Sequence, residues 1–516
     1  MKNKIIYLAI LAAGFAACEP EFDHELTNAD FSAGEADFTR YVAVGNSLTA
    51  GYMDGTVSRI GQGYSFPNTL AKQFSLVGGG AFTQPSYAED VNNLGGIAGL
   101  PGFNTRLVID ATEGGPEPIA GASTVTLTAQ QTAYNNMGVP GAKSFHLLAP
   151  GYGNPAGLAT SPISANPYFV RTATSPTTTV LADAMSLNPT FFTNWIGAND
   201  VLLYATAGGT GTDQAGNPNP ATYGPNDITD PAVFAGVYEN IVRTLTANNA
   251  KGVVATVPNI TSIPFFTTVP YNPLTTAAVG GATTIQTLNA SLYGPIKQIL
   301  TAYGQGGRIN LLSATESNPL LIMDETLVNL SAEITGALIA AGQPAATAGF
   351  IGATYGQARQ ATGSDLILLT TRTVIGSAPQ GVPAPFNVFG VTYPLQDQHV
   401  LTSAEVSLVN AATTSFNNTI RGVAQTHQVA VADMNAILNQ LVSGLKVENG
   451  QIYTANYFSP TTTGVVLFSL DGIHPNARGY AVIANEVIKV INSYYHSKLP
   501  LVDPGLYPGA TILTTN

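Results

Sequence analysis

Tyr41-Val42-Ala43-Val44-Gly45-Asn46-Ser47-Leu48-Thr49-Ala50-Gly51 decides how the chain is read. Four apolar residues in a row, two of them β-branched, read as a short strand buried on both faces, and a glycine-bounded turn follows at once. Open α/β sheets bind ligands at the carboxyl ends of their strands, so Ser47 stands where a nucleophile is useful. The pattern recurs outward from this stretch. Residues 190–196 end at Gly197, 252–257 at Pro258 and 429–432 at Asp433. Helical periodicity fills 232–248, 476–493 and 403–427, the last with Leu408, Ala411, Phe416, Ile420 and Val423 near one face. Strands alternating with helices predict an α/β fold, a three-layer α/β/α sandwich around a central parallel sheet with long insertions.

Around that frame the 516 residues are weakly charged, only 10% Asp, Glu, Lys and Arg. The net charge of −12 and the lack of basic runs exclude a nucleic-acid surface. One cysteine, Cys18, excludes a disulfide framework and a multi-cysteine metal site. It follows Lys2, Lys4 and an apolar run from Ile5 to Ala17 that is too short to cross a bilayer and has the layout of a signal peptide. Phe15-Ala16-Ala17-Cys18 resembles a lipobox, which makes Cys18 the expected lipidation site. The expected organisation is a lipoprotein signal peptide at 1–17, an acidic tether at 18–40, a globular domain at 41–500 and a C-terminal tail at 501–516. Insertions are expected at about 53–130 and 267–399. Segments 203–230 and 340–364, crowded with Gly, Ala, Thr, Asn and Pro, read as insertion, and 324–341 as an amphipathic helix, either a lid or a core helix of its insertion.

Three further stretches carry chemistry. Asp471-Gly472-Ile473-His474-Pro475 precedes the last helix, where the carboxylate can hold one ring nitrogen and leave the other as a base. Gly197-Ala198-Asn199-Asp200 ends a strand, where the Asn amide can donate to an oxyanion. Asn136-Met137-Gly138-Val139-Pro140-Gly141 reads as a glycine turn after a short strand. Each alone is also ordinary turn or cap chemistry. No G-x-S-x-G, H-E-x-x-H or EF-hand loop occurs, so a different serine arrangement is required and no metal or cofactor is expected. His24, His146, His399, His427 and His496 have no such motif around them.

In chain order these four blocks resemble the SGNH (GDSL-type) hydrolases. That resemblance implies Ser47 as nucleophile, His474 as general base and later acid, and Asp471 as the group orienting the imidazole. It also implies an oxyanion hole from the Ser47 and Gly141 N–H groups and the Asn199 side chain, with Gly138 as the rival of Gly141. Asn46 stands where the family's signature usually has Asp. The function so implied is a membrane-anchored serine esterase or lipase acting on an acyl or acetyl ester of a lipid or acylated glycan. It would be tethered to the outer membrane at its periplasmic face or at the cell surface. A carbohydrate deacetylase of the same fold and a non-catalytic surface-binding lipoprotein are the alternatives. The 267–399 insertion, which contains none of the matched residues, is expected to shape substrate access.

Overall fold

The computed structural model describes residues 31–516 except 113–114 and 460–461. The signal peptide, Cys18, His24 and most of the tether lie outside the described residues. Five strands form the central sheet: β1 (Tyr41–Gly45), β2 (Asn136–Gly138), β3 (Phe191–Trp195), β4 (Lys251–Ala255) and β5 (Ala430–Ala432). They are all parallel, in the order β5-β4-β3-β1-β2. From β1 the chain goes to the edge as β2, then crosses back over β1 to build β3, β4 and β5. The direction of winding therefore reverses between β1 and β3, and their carboxyl ends flank the crevice that this reversal leaves.

Seven helices are labelled here: α1 (Ser47–Ala50), α2 (Phe66–Ser75), α3 (Asn199–Thr206), α4 (Pro231–Leu245), α5 (Ser403–Thr426), α6 (Met434–Ser443) and α7 (Ala477–Tyr494). Alternate residues of each strand enter different cores. Val42, Val44, Phe192 and Val254 pack with α3, α4 and α5, whereas Tyr41, Ala43, Phe191 and Val253 pack with α2 and α7. Both faces are covered, which is why β1 is an apolar run rather than an alternating one. Phe234 of α4 stacks on Phe416 of α5 at 4.2 Å between centroids. Burying side chains of this size stabilises by roughly 1.5–3 kcal/mol each. Helix starts follow their caps. Asp230 accepts from the Ala232 and Val233 N–H groups ahead of α4, Thr402 and Glu405 form a capping box on α5, and Asn476 accepts from Gly479 N–H ahead of α7.

Several expectations are corrected. The fold begins before Tyr41: Phe38 is buried and stacks on Phe74 at 4.0 Å, so the tether is shorter than 18–40. Helix α2, inside the expected 53–130 insertion, is a core-layer helix. Residues 136–138 are themselves the edge strand rather than a turn after one. On α5 the buried row starts at Val409 and Ala412, while Leu408 and Ala411 face solvent. The C-terminal segment is not a loose tail, because Ile512–Leu513 pairs in parallel with residues 109–110.

The long insertion folds around its own apolar core, from Val269 to Val400. Segment 340–364 contains the helix Ala345–Tyr355, and only Ser331–Ala340 of the expected 324–341 helix is helical. Ile334 and Leu338 of that helix are buried in the insertion's core, so it is a core helix there. Arg359 bridges Asp324 and Asp365, and Asp365 also accepts from Ser403 N–H at the start of α5, tying insertion to sheet.

At the same junction carboxylate oxygens of Glu325, Asp397 and Glu405 lie within 4.8 Å of one another. Burial, then the charge of Glu325, pushes the Asp397 carboxyl up to about 6. Burial, with the charges of Asp397 and Glu325, pushes Glu405 up to about 7. A carboxyl whose folded-state pKa is raised binds more protons folded than unfolded, so its effect on stability worsens as pH rises from about 4 to about 7. Asp397→Asn is therefore expected to melt about 1–2 °C above the parent near pH 8 and not near pH 4, in chelator-containing buffer. That corresponds to about 1 kcal/mol once solvent screening of this half-exposed group is counted. A gain of equal size at both pH values would show that charge is not its source.

Candidate active site

Ser47 opens α1 immediately beyond β1. Asn46 caps the helix, its side-chain oxygen accepting from Leu48 N–H at 3.1 Å, which holds the turn without using Ser47. The hydroxyl is thereby presented at the sheet's carboxyl edge.

His474 arrives from the far end of the chain, 427 positions away, and its Nε2 lies 2.9 Å from Ser47 Oγ. The loop that carries it closes on itself: Ser469 N–H donates to His474 O, and Asn476 N–H to Leu467 O. Asp471 organises that loop. One carboxylate oxygen accepts from the Ile473 and His474 N–H groups and from Ser469 Oγ, each at 2.9 Å. The other accepts from His474 Nδ1 at 2.9 Å and Gly55 N–H at 3.2 Å. Burial pushes the Asp471 carboxyl up, but His474 and these hydrogen bonds more than offset it and hold it below the usual carboxylate range. An ionised Asp471 accepting from Nδ1–H leaves Nε2 bare and able to take the Ser47 proton.

The segment after α1 grips the same loop, a role the sequence reading missed. Asp54 N–H donates to Ser469 Oγ, and Asp54 Oδ1 accepts from Leu470 N–H, both at 3.0 Å. Burial, opposed by that hydrogen bond, pushes Asp54 up to about 6. The Tyr52 ring packs 4.6 Å from the imidazole, and Tyr480 of α7 donates its hydroxyl to Tyr52 O at 2.6 Å. Asp54-Gly55 carries only a turn signal in the sequence.

The oxyanion candidates follow three neighbouring strands, Ser47 after β1, Gly141 after β2 and Asn199 after β3. Ser47 N–H, at the first helical position, and Gly141 N–H have no hydrogen-bond partner among the described residues. Gly138 N–H is already given to Asn136 Oδ1 at 3.0 Å, and a Cβ at Gly138 would run into the backbone of Ala50. Gly138 is thus a close-packing glycine. Gly141 has φ +81°, a left-handed turn that favours glycine. Asn199, at the start of α3, is buried and donates one amide hydrogen to Ala142 O at 2.9 Å, leaving the second for the cleft. Its neighbour Asp200 accepts from Ser144 N–H and Oγ at 2.8 and 2.7 Å, bolting α3 to the loop that carries Gly141.

Ser47, Asn199 and His474 line one cleft of about 110 Å³ whose remaining walls are almost wholly hydrocarbon. Gly141 is not among its lining residues; it stands one residue before the carbonyl that holds Asn199. The 267–399 insertion contributes no lining side chain. The other described histidines are engaged elsewhere. His146 Nδ1 accepts from Lys143 N–H and His399 Nδ1 from Gln396 N–H. His427 meets Glu239, and His496 lies 3.8 Å from Glu35. Among the described residues no helix is long and apolar enough to cross a membrane.

Asn199→Ala is expected to lower kcat by about 10²–10³ with little change in KM, since the amide is asked to stabilise charge present only in the transition state. Steady-state kinetics on p-nitrophenyl butyrate check this. A rise in KM alone would make Asn199 a ground-state contact.

Comparison of the chain with protein-family models, curated proteins and solved structures returns no match.

Proposed function

We propose that the chain is a serine ester hydrolase of the SGNH (GDSL) type, held at a membrane through a lipidated Cys18. The observation that supports this reading is the hydrogen-bonded series Ser47–His474–Asp471, assembled from opposite ends of the sequence at a sheet's switch point. In the proposed reaction Ser47 Oγ attacks the ester carbonyl while its proton passes to His474 Nε2. Asp471 offsets the imidazolium charge. The carbonyl oxygen, now negative, takes hydrogen bonds from Ser47 N–H, Gly141 N–H and Asn199 Nδ2. The C–O bond then breaks, the alcohol leaves with the proton from His474, and water repeats the sequence to release the acid. Asn46, in place of the usual Asp, still caps α1 through its side-chain oxygen, so the exchange spares the turn that presents the nucleophile.

A fluorophosphonate probe tests the reading directly. The native protein is expected to be labelled at Ser47, as located by peptide mapping, and Ser47→Ala to stay unlabelled. A folded native protein that resists the probe would favour the binding-module alternative and remove the nucleophile from this proposal.

A further inference from the structure

The cleft beside Ser47 has two chemically distinct parts. Its side-chain hydrogen-bonding groups are those of Asn46, Ser47, Asn199 and His474, together with a Trp195 indole N–H already given to Thr256 O. Everything beyond them is hydrocarbon. Helix α6 supplies Ile437, Leu438 and Leu441 on one stripe, facing Val482 of α7, Leu202 of α3 and Ile260 of the loop after β4. From Met434 to Leu441 the α6 stripe advances seven positions, about 10 Å of wall at ~1.5 Å per residue.

We infer that this hydrocarbon part is an acyl-chain pocket, and that the preferred substrate is an ester of a medium-length, unbranched fatty acid. The inference rests on the serine-hydrolase reading and assigns its substrate class. A sugar hydroxyl placed here would lose its water and find no partner, a cost that a site for acylated glycans would avoid. An acetyl group would leave the α6 wall bare. An unfilled apolar space is itself destabilising, because the side chains around it lose packing partners. An extended chain of about eight carbons matches the length of the α6 stripe. Its carboxyl carbon would then lie at Ser47, become bonded to Oγ as the alcohol departs, and be released by water as the free acid.

The test uses the full chain and p-nitrophenyl esters of acetate, butyrate, octanoate and palmitate. Each methylene buried is worth about fourfold in kcat/KM, so octanoate is expected to exceed acetate by at least about 10²-fold, with palmitate falling off. Leu441→Trp, which fills the pocket, is expected to cut the octanoate-to-acetate ratio at least about tenfold. Val482→Phe gives the same readout from the opposite wall should the first variant fail to fold. Independently, Ser47→Ala is expected to bind octanoate and not acetate in isothermal titration calorimetry. Acetate turnover at least equal to octanoate turnover, with Ser47 still labelled by the fluorophosphonate, overturns the chain-length inference and leaves the hydrolase reading standing. A folded protein that is neither labelled nor active on any ester overturns both.

Discussion

Ser47→Ala is expected to take ester turnover down to a small residue, a loss on the order of 10⁶ in kcat, with the melting temperature close to that of the parent. The fold should survive because the hydroxyl's partner is His474 alone, while Asn46 does the capping at this turn. His474→Ala should cost about the same. In the proposed mechanism Ser47 and His474 act as one unit, so the double variant should lose little more than either single one. Multiplicative losses would instead mean that the two groups work separately. Purified Ser47→Ala retaining parental turnover would remove this serine from the chemistry altogether.

Asp471→Asn should cost on the order of 10⁴ in kcat, as when a triad acid is replaced by its amide and the wrong tautomer results. Here the carboxylate accepts five hydrogen bonds and donates none. An amide must turn its NH₂ toward either Nδ1–H and Gly55 N–H or the Ile473 and His474 N–H groups. The first choice forces the proton onto Nε2, where it faces Ser47; the second opposes donors within the turn. Some stability, about 1–3 kcal/mol, should therefore be lost together with activity. Kinetics and thermal melting on one preparation check both. A variant within tenfold of the parent would show the acid to be dispensable.

The strands were legible because burial on both faces requires unbroken apolar runs, as at Tyr41–Val44 and Val253–Val254. The candidate site residues were legible because each sits in a turn whose chemistry is local: Asn46-Ser47, Asn199-Asp200, Asp471 to His474. What stayed hidden was non-local. Strand β2 is three residues long and ends in Gly138, so it carries no periodicity, and it exists because β1 pairs with it. The helix at 345–355 was masked by Ala and Gly that resemble a loop in composition, although Ala is the strongest helix former. The α5 stripe was read one residue out of phase at its start, as Leu408 and Ala411, where the helix buries Val409 and Ala412. The apolar cleft draws Leu202, Ile260, Leu441 and Val482 from four separate segments. In sequence, each of these is an ordinary core position.

In the proposed hydrolase, the 427-residue gap between Ser47 and His474 also sets a clock on synthesis. At about 5–20 residues per second, roughly 20–90 s separate the synthesis of Ser47 from that of His474. Throughout that interval the nascent chain holds a serine with no base and no acid. On the proposed mechanism, a product terminated anywhere in between lacks the base however well β1 to β4 have paired. In the proposed hydrolase this layout delays catalytic competence until synthesis has passed His474.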